Sequence, residues 1–229
     1  MTDPLRLDRT ARAVRTGGVS SGPIHDAAWR ALEQALAPAI HGRVLDFGSG
    51  TGTLTRRLAA EPGVTEIIAC DLAPAGDAAA LPRVRWITTD LNEPLPLAAG
   101  SVDVVAAIEV IEHLENPRAV AREWRRVLAP DGVLLMSTPN IEAWRSVLSF
   151  TVRGEHAAFR APSYPSHITA LSAADIRHVL EESGFADIRV TYTGHGLLPG
   201  ARTSWQSLSL GRLRGRRYSD NVIAIARAG

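Results

Sequence analysis

Strands that alternate with helices, an apolar strand running straight into a glycine-rich turn, and an acid closing each of the next two strands predict an α/β fold. In this fold a mainly parallel sheet is wound with helices on both faces. A short amphipathic helix is expected over 5–14 and a flexible loop over 17–23, where glycine, serine and proline cluster. Residues 25–37 follow as a helix, with Ala28, Leu32 and Leu36 on one face. A strand over 43–47 meets the glycines, and a helix over 53–61 ends at Pro62-Gly63. Strands are expected over 65–70, closed by Asp71, and over 82–88, followed by Asp90. The nearly continuous apolar run 102–108 has the pattern of a central parallel strand buried on both faces.

Pro117 suits a helix start, and the helix continues to Pro130-Asp131-Gly132, after which 133–137 is another buried strand. Residues 140–167 break the rhythm, with Trp144, Phe150, Phe159, Pro162 and Pro165 in no clean period. Ser172 and Asp175 have the spacing of a capping box for a helix ending at Gly184, and 188–192 and 221–226 read as closing strands. The organisation is a helical cap over 1–41 and one domain over 42–229, in which 141–167 is an inserted lid.

Composition excludes several chemistries. The 25 basic residues are all arginine, so no Schiff-base, pyridoxal-phosphate or P-loop lysine exists. A net charge of +1 argues against a strongly basic nucleic-acid face, and the run Arg212, Arg214, Arg216 and Arg217 reads as a solvated loop. The single Cys70 cannot form an internal disulfide, which points to a reducing cytoplasm. No apolar stretch approaches the roughly 18 residues that a membrane helix needs.

The strongest local signal is Val44-Leu-Asp-Phe-Gly48-Ser-Gly50-Thr-Gly52, a ligand cradle at a strand's carboxyl edge. The dinucleotide fingerprint would place its third glycine at 53, where Thr53 stands. Asp46, facing a helix start, would repel a pyrophosphate and suits a cationic or hydroxyl-rich ligand. Asp71 is placed to accept both hydroxyls of a ribose, and Asp90 to meet an adenine amino group. A ribose, an adenine, a positive charge and no phosphate describe S-adenosylmethionine.

With Glu109-Val-Ile-Glu-His113 and Ser137-Thr-Pro-Asn140, this ordered set resembles class I S-adenosylmethionine-dependent methyltransferases across about 44–184. The resemblance is to the ubiquinone-biosynthesis O-methyltransferase-like group, with its E-x-x-E-H motif. It implies a seven-stranded, mainly parallel sheet whose last strand is antiparallel. It also implies that Asp46, Gly48, Ser49 and Gly50 line the methionine part of the cofactor and that Asp71 and Leu72 hold the ribose. Asp90 and Leu91 would flank the adenine, and Ile108 the sulfonium. Arg30 could reach the cofactor carboxylate or be a solvated helix residue.

Glu109, Glu112 and His113 would share one face if their segment is helical. Such a group can bind Mg2+ or another divalent cation, with His167 as a further ligand. It can equally provide Glu112 and His113 as general-base machinery, or simply support the loop. His156 is a weaker base candidate, and His25, His41, His178 and His195 read as structural. Ser49 and Ser137 have no triad setting, and Cys70 reads as core. Aromatic residues of 141–167 could wall a pocket for a ring-bearing acceptor, which makes O-methylation of a hydroxylated small metabolite the leading expectation. The rivals are a metal-dependent RNA 3′-end 2′-O-methyltransferase and a non-catalytic cofactor-binding partner domain. The oligomeric state is not legible.

Overall fold

A computed structural model describes residues 22–72 and 77–229. The helix expected over 5–14 and most of the loop after it lie outside the described residues. Helix α1, Gly22–Ala35, starts within the expected loop. Pro23 is compatible with a first helical turn, where its missing N–H costs nothing, and the turn lets Ile24 join Ala27, Ala28, Trp29 and Leu32 on the buried face.

The strands are β1 (Gly42–Phe47), β2 (Val64–Asp71), β3 (Val84–Thr88), β4 (Val102–Ile108), β5 (Leu128–Pro139), β6 (Phe185–Tyr192) and β7 (Asn221–Ala228). They form one seven-stranded sheet in the order β3-β2-β1-β4-β5-β7-β6. The first five run parallel, and β7 lies antiparallel to both β5 and β6. Successive side chains point to opposite faces, so Val44, Val104 and Leu135 enter one core while Leu45, Val105 and Leu134 enter the other. Both faces are apolar because both are covered. Helices α1 and α2 (Thr53–Ala59) contribute to the first core, and α3 (Pro117–Val127) and α5 (Ala173–Glu182) to the second. In the second core Trp124 meets Phe47 edge-on at 5.5 Å.

Two expectations are corrected. Strand β5 begins at Leu128, directly after α3, because Asp131 at φ +60° and a register shift between Val102 and Val104 absorb Pro130-Asp131-Gly132 without ending the pairing. The segment 140–167 holds a helix, α4 (Trp144–Arg153), in which only Ser146 is fully buried. Its apolar side chains face outward, so they leave no core-facing period for a sequence reading to find. The capping box of α5 is present, with Ser172 and Asp175 bonded reciprocally. A short helix α6, Trp205–Leu208, was not anticipated.

Because β1 to β5 are parallel, their carboxyl ends, Phe47, Asp71, Thr88, Ile108 and Pro139, share one edge of the sheet. All of the predicted site residues except His167 and Arg30 lie within this edge or the turns leaving it.

Candidate active site

The cradle follows β1. Gly48 has φ +78°, and a Cβ there would come within 2.4 Å of Val110 Cγ2; Gly52 has φ +81°, and a Cβ there would come equally close to the Ala78 Cβ. Gly50, at φ +51°, faces open space and its N–H donates to Asp71 Oδ2 at 2.8 Å. The turn thus lies beside the β2 acid. Ser49 commits both its N–H and its hydroxyl to the Cys70 carbonyl, so its side chain faces the sheet and only its backbone lines the turn. Asp46 is buried behind the glycines and accepts a 2.5 Å bond from Thr55 Oγ1. Burial, opposed by that bond, lifts its carboxyl to about 7, with a smaller push from Asp71. Asp90 holds a local turn, accepting from the backbone and side-chain N–H groups of Asn92. Leu72 and Leu91 are half-buried at the same edge, and Ile108 is buried at the tip of β4. Arg30 lies on the exposed side of α1.

The second half of the site begins where β4 ends. The helical spacing expected for Glu109, Glu112 and His113 is not realised: Glu109 is left-handed at φ +56°, and only Ile111–His113 forms a single 3-10 turn. Glu109 therefore turns away from the other two. Its carboxylate accepts from Ser137 Oγ at 3.0 Å and from Asn221 Nδ2 at 2.7 Å, tying the tips of β4, β5 and β7 together.

Glu112, His113 and His167 do converge. They form a group in which one ligand atom from each lies within 4.8 Å of the others, and Glu109 is not part of it. The convergence is long-range. The N–H groups of Ile168 and Thr169 donate to the Glu112 carbonyl, and Thr169 Oγ1 donates to the Leu114 carbonyl, which stitches the returning loop to the 3-10 turn. The imidazoles of His113 and His167 meet edge-on at 4.8 Å.

Each ring is oriented by a carbonyl: His113 Nδ1 by Ser166 O at 2.8 Å, and His167 Nδ1 by Ala158 O at 2.7 Å. A carbonyl only accepts, so both Nδ1 atoms carry the proton and both Nε2 lone pairs are left for a ligand or a proton. Burial lowers the pKa of both rings, keeping them neutral at pH 7. Glu112 is buried, accepts from Thr138 Oγ1 at 3.1 Å, and is pushed well above the ordinary carboxylate range by burial and then by Glu109. His156 stands apart, bonded to Ser146 Oγ and stacked on Phe150.

Sequence reasoning missed the partners that orient this group, Thr138 and the carbonyls of Ala158 and Ser166, and Asn221, which holds Glu109 outside it. Thr138 was visible inside Ser137-Thr-Pro-Asn140, but main-chain acceptors leave no residue-type signal.

The doubly wound sheet with an antiparallel β7, a glycine cradle after β1 and acids at the tips of β1 and β2 define the class I S-adenosylmethionine-dependent methyltransferase fold. The chain belongs to the methyltransferase domain family, whose sequence profile matches residues 24–190. It is 34% identical over 167 residues to a Mycobacterium tuberculosis protein named as a probable S-adenosylmethionine-dependent methyltransferase, covering 71% of this chain and 56% of that one. It is 33% identical over 165 residues to the malonyl-[acyl-carrier protein] O-methyltransferase of Laribacter hongkongensis, covering 66% and 52%. The chain thus spans little more than half the length of these relatives. A similar fold occurs in Burkholderia thailandensis 1,6-didemethyltoxoflavin-N1-methyltransferase, solved with S-adenosylhomocysteine, at a TM-score of 0.63 and 16% identity over 99% of this chain and 91% of that one.

Proposed function

We propose that this domain transfers the methyl group of S-adenosylmethionine to a hydroxyl of a small metabolite. In this reading the cofactor lies over the Gly48–Gly50 turn, its ribose diol on Asp71 and its adenine beside Asp90 and Leu91. The observation that carries the acceptor side is the pair of imidazoles whose Nδ1 atoms are both tied to carbonyls, so that two free lone pairs and the Glu112 carboxylate meet next to the tip of β4. The O-methyltransferase names among the relatives agree with an oxygen acceptor.

Methyl transfer is an in-line displacement in which the sulfur–carbon bond breaks as the oxygen–carbon bond forms, leaving S-adenosylhomocysteine. The protein positions the two atoms and removes the hydroxyl proton. His113 Nε2 accepts that proton, while Ser166 O holds the ring in the accepting tautomer. The donor set also fits a divalent cation on Glu112, His113 and His167, which would supply Lewis acidity toward an acceptor oxygen. Two imidazoles and one carboxylate suit zinc, manganese or iron better than magnesium, which prefers oxygen ligands. The two roles of His113 exclude each other, since its one lone pair serves either a cation or a proton.

Cofactor turnover with a pool of phenols and catechols, after chelation and after return of single metals, tests both points. Loss on chelation with recovery by manganese or zinc assigns the cluster to a metal, and indifference to chelation assigns His113 as the base. Failure to form S-adenosylhomocysteine with any hydroxyl acceptor, in protein that binds the cofactor, would overturn O-methylation.

A further inference from the structure

All seven large apolar side chains that stand exposed among the described residues fall in two segments. Trp144, Leu148 and Val152 make a stripe at i, i+4 and i+8 on α4, and Phe150 and Tyr164 are exposed elsewhere in the same segment. Leu208 and Leu210, the latter 88% exposed and at φ +51°, project from the end of α6 and the turn after it. The segments adjoin: Trp144 N–H donates to the Arg217 carbonyl, and the Arg217 guanidinium lies 5.2 Å over the Trp144 ring.

The same segments, 144–164 and 205–217, carry seven arginines against one acid, Glu155, a formal +6, which falls to +4 with Asp220 and Glu142, the acids that pair with Arg145 and Arg216. The whole chain is +1, so the remainder is −3. The first segment borders the site, because its Phe159 meets the His167 ring at 5.5 Å.

The charge selects what covers it. Residues 1–21 hold four arginines and two aspartates, so they share its sign, as does a second copy of the same face. A nucleic acid stacks its bases on rings, and the most exposed apolar residue of the face, Leu210, stands with Leu208 at a turn where the exposed apolar side chains are leucines alone. Isolated leucines at a turn need no matching pocket in a fluid acyl layer, and arginines beside tryptophan and leucine form the composition of an interfacial helix. We propose that the face formed by α4 and the turn after α6 docks on an anionic lipid bilayer, bringing the site to a lipid-borne acceptor. The identity of that acceptor rests on the O-methylation reading, and the docking does not.

Sedimentation of the full chain with vesicles of phosphatidylcholine alone, or with about 30% phosphatidylglycerol, tests the docking without reading turnover. The chain should pellet with the anionic vesicles only, and release in high salt. The double variants Leu208→Ser/Leu210→Ser and Arg212→Gln/Arg214→Gln should each lower partitioning about tenfold, with melting temperature and S-adenosylhomocysteine affinity unchanged. No pelleting with anionic vesicles overturns the proposal, as do equal pelleting of wild type and both variants, equal pelleting with neutral vesicles, or displacement from vesicles by single-stranded RNA at the same salt.

Discussion

The two halves of the site are built in opposite ways. The half proposed to hold the cofactor is nearly local: Asp46, Gly48, Ser49 and Gly50 lie within five consecutive residues, and one parallel neighbour brings Asp71 alongside. The half proposed to meet the acceptor joins Glu112 and His113 to His167 across more than 50 residues, through hydrogen bonds between a returning loop and a single 3-10 turn. A short strand–turn–helix specifies a cradle by backbone conformation alone. A cluster of side chains instead requires each ring to be oriented by a partner. The halves meet at Val110, which touches Gly48 and immediately precedes the turn that carries Glu112 and His113.

If the halves are functionally separate, His113→Ala should lower turnover by about 10²- to 10⁴-fold and leave S-adenosylhomocysteine affinity within about threefold. Steady-state rates and calorimetry on one preparation check this, and a parallel collapse of cofactor affinity would break the separation.

The next effect belongs to the cradle and to stability. Asp46 is held at about 7 in the folded protein, whereas in the unfolded chain it ionises in the ordinary carboxylate range. The unfolded state therefore releases its proton first, and stability contributed by this group falls as pH rises from about 4 to about 7, then levels off. The full difference is at most about 4 kcal/mol at 1.4 kcal/mol per unit. Asp46→Asn should remove that fall, so that urea midpoints of variant and wild type diverge in the variant's favour toward pH 8. Identical pH profiles would show that Asp46 is ionised in the fold.

Gly48→Ala probes the contact between the halves. The added Cβ meets Val110 and must hold φ +78°, a combined cost of about 1–3 kcal/mol. Pairing it with Val110→Ala should relieve the clash and not the backbone strain, so urea denaturation should show partial recovery. Full recovery would mean that the turn does not need its left-handed glycine.

Much of the architecture was legible in the residues. The buried runs Val44-Leu45, Val104-Val105 and Leu134-Leu135 serve two cores at once, and the Ser172–Asp175 box starts its helix where spacing placed it. The Gly48–Gly52 turn was legible for the same reason, since positive φ and close approach both demand glycine. Helix α4 was not, because its apolar stripe faces away from every core.

By itself, then, the sequence determined the layered sheet, the cradle after β1, the acids at the strand tips and an arginine-only chain without amine nucleophiles. These follow from periodicity and from residues with no conformational substitute. Only the tertiary structure decided that Glu109 is bound to Ser137 and Asn221 while Glu112 and His113 meet His167. A left-handed residue at the end of β4 turned one carboxylate toward β7, and two main-chain carbonyls aimed the imidazoles. Neither a backbone turn nor a carbonyl is encoded by residue type, so the partners of these side chains appear only when the chain is folded.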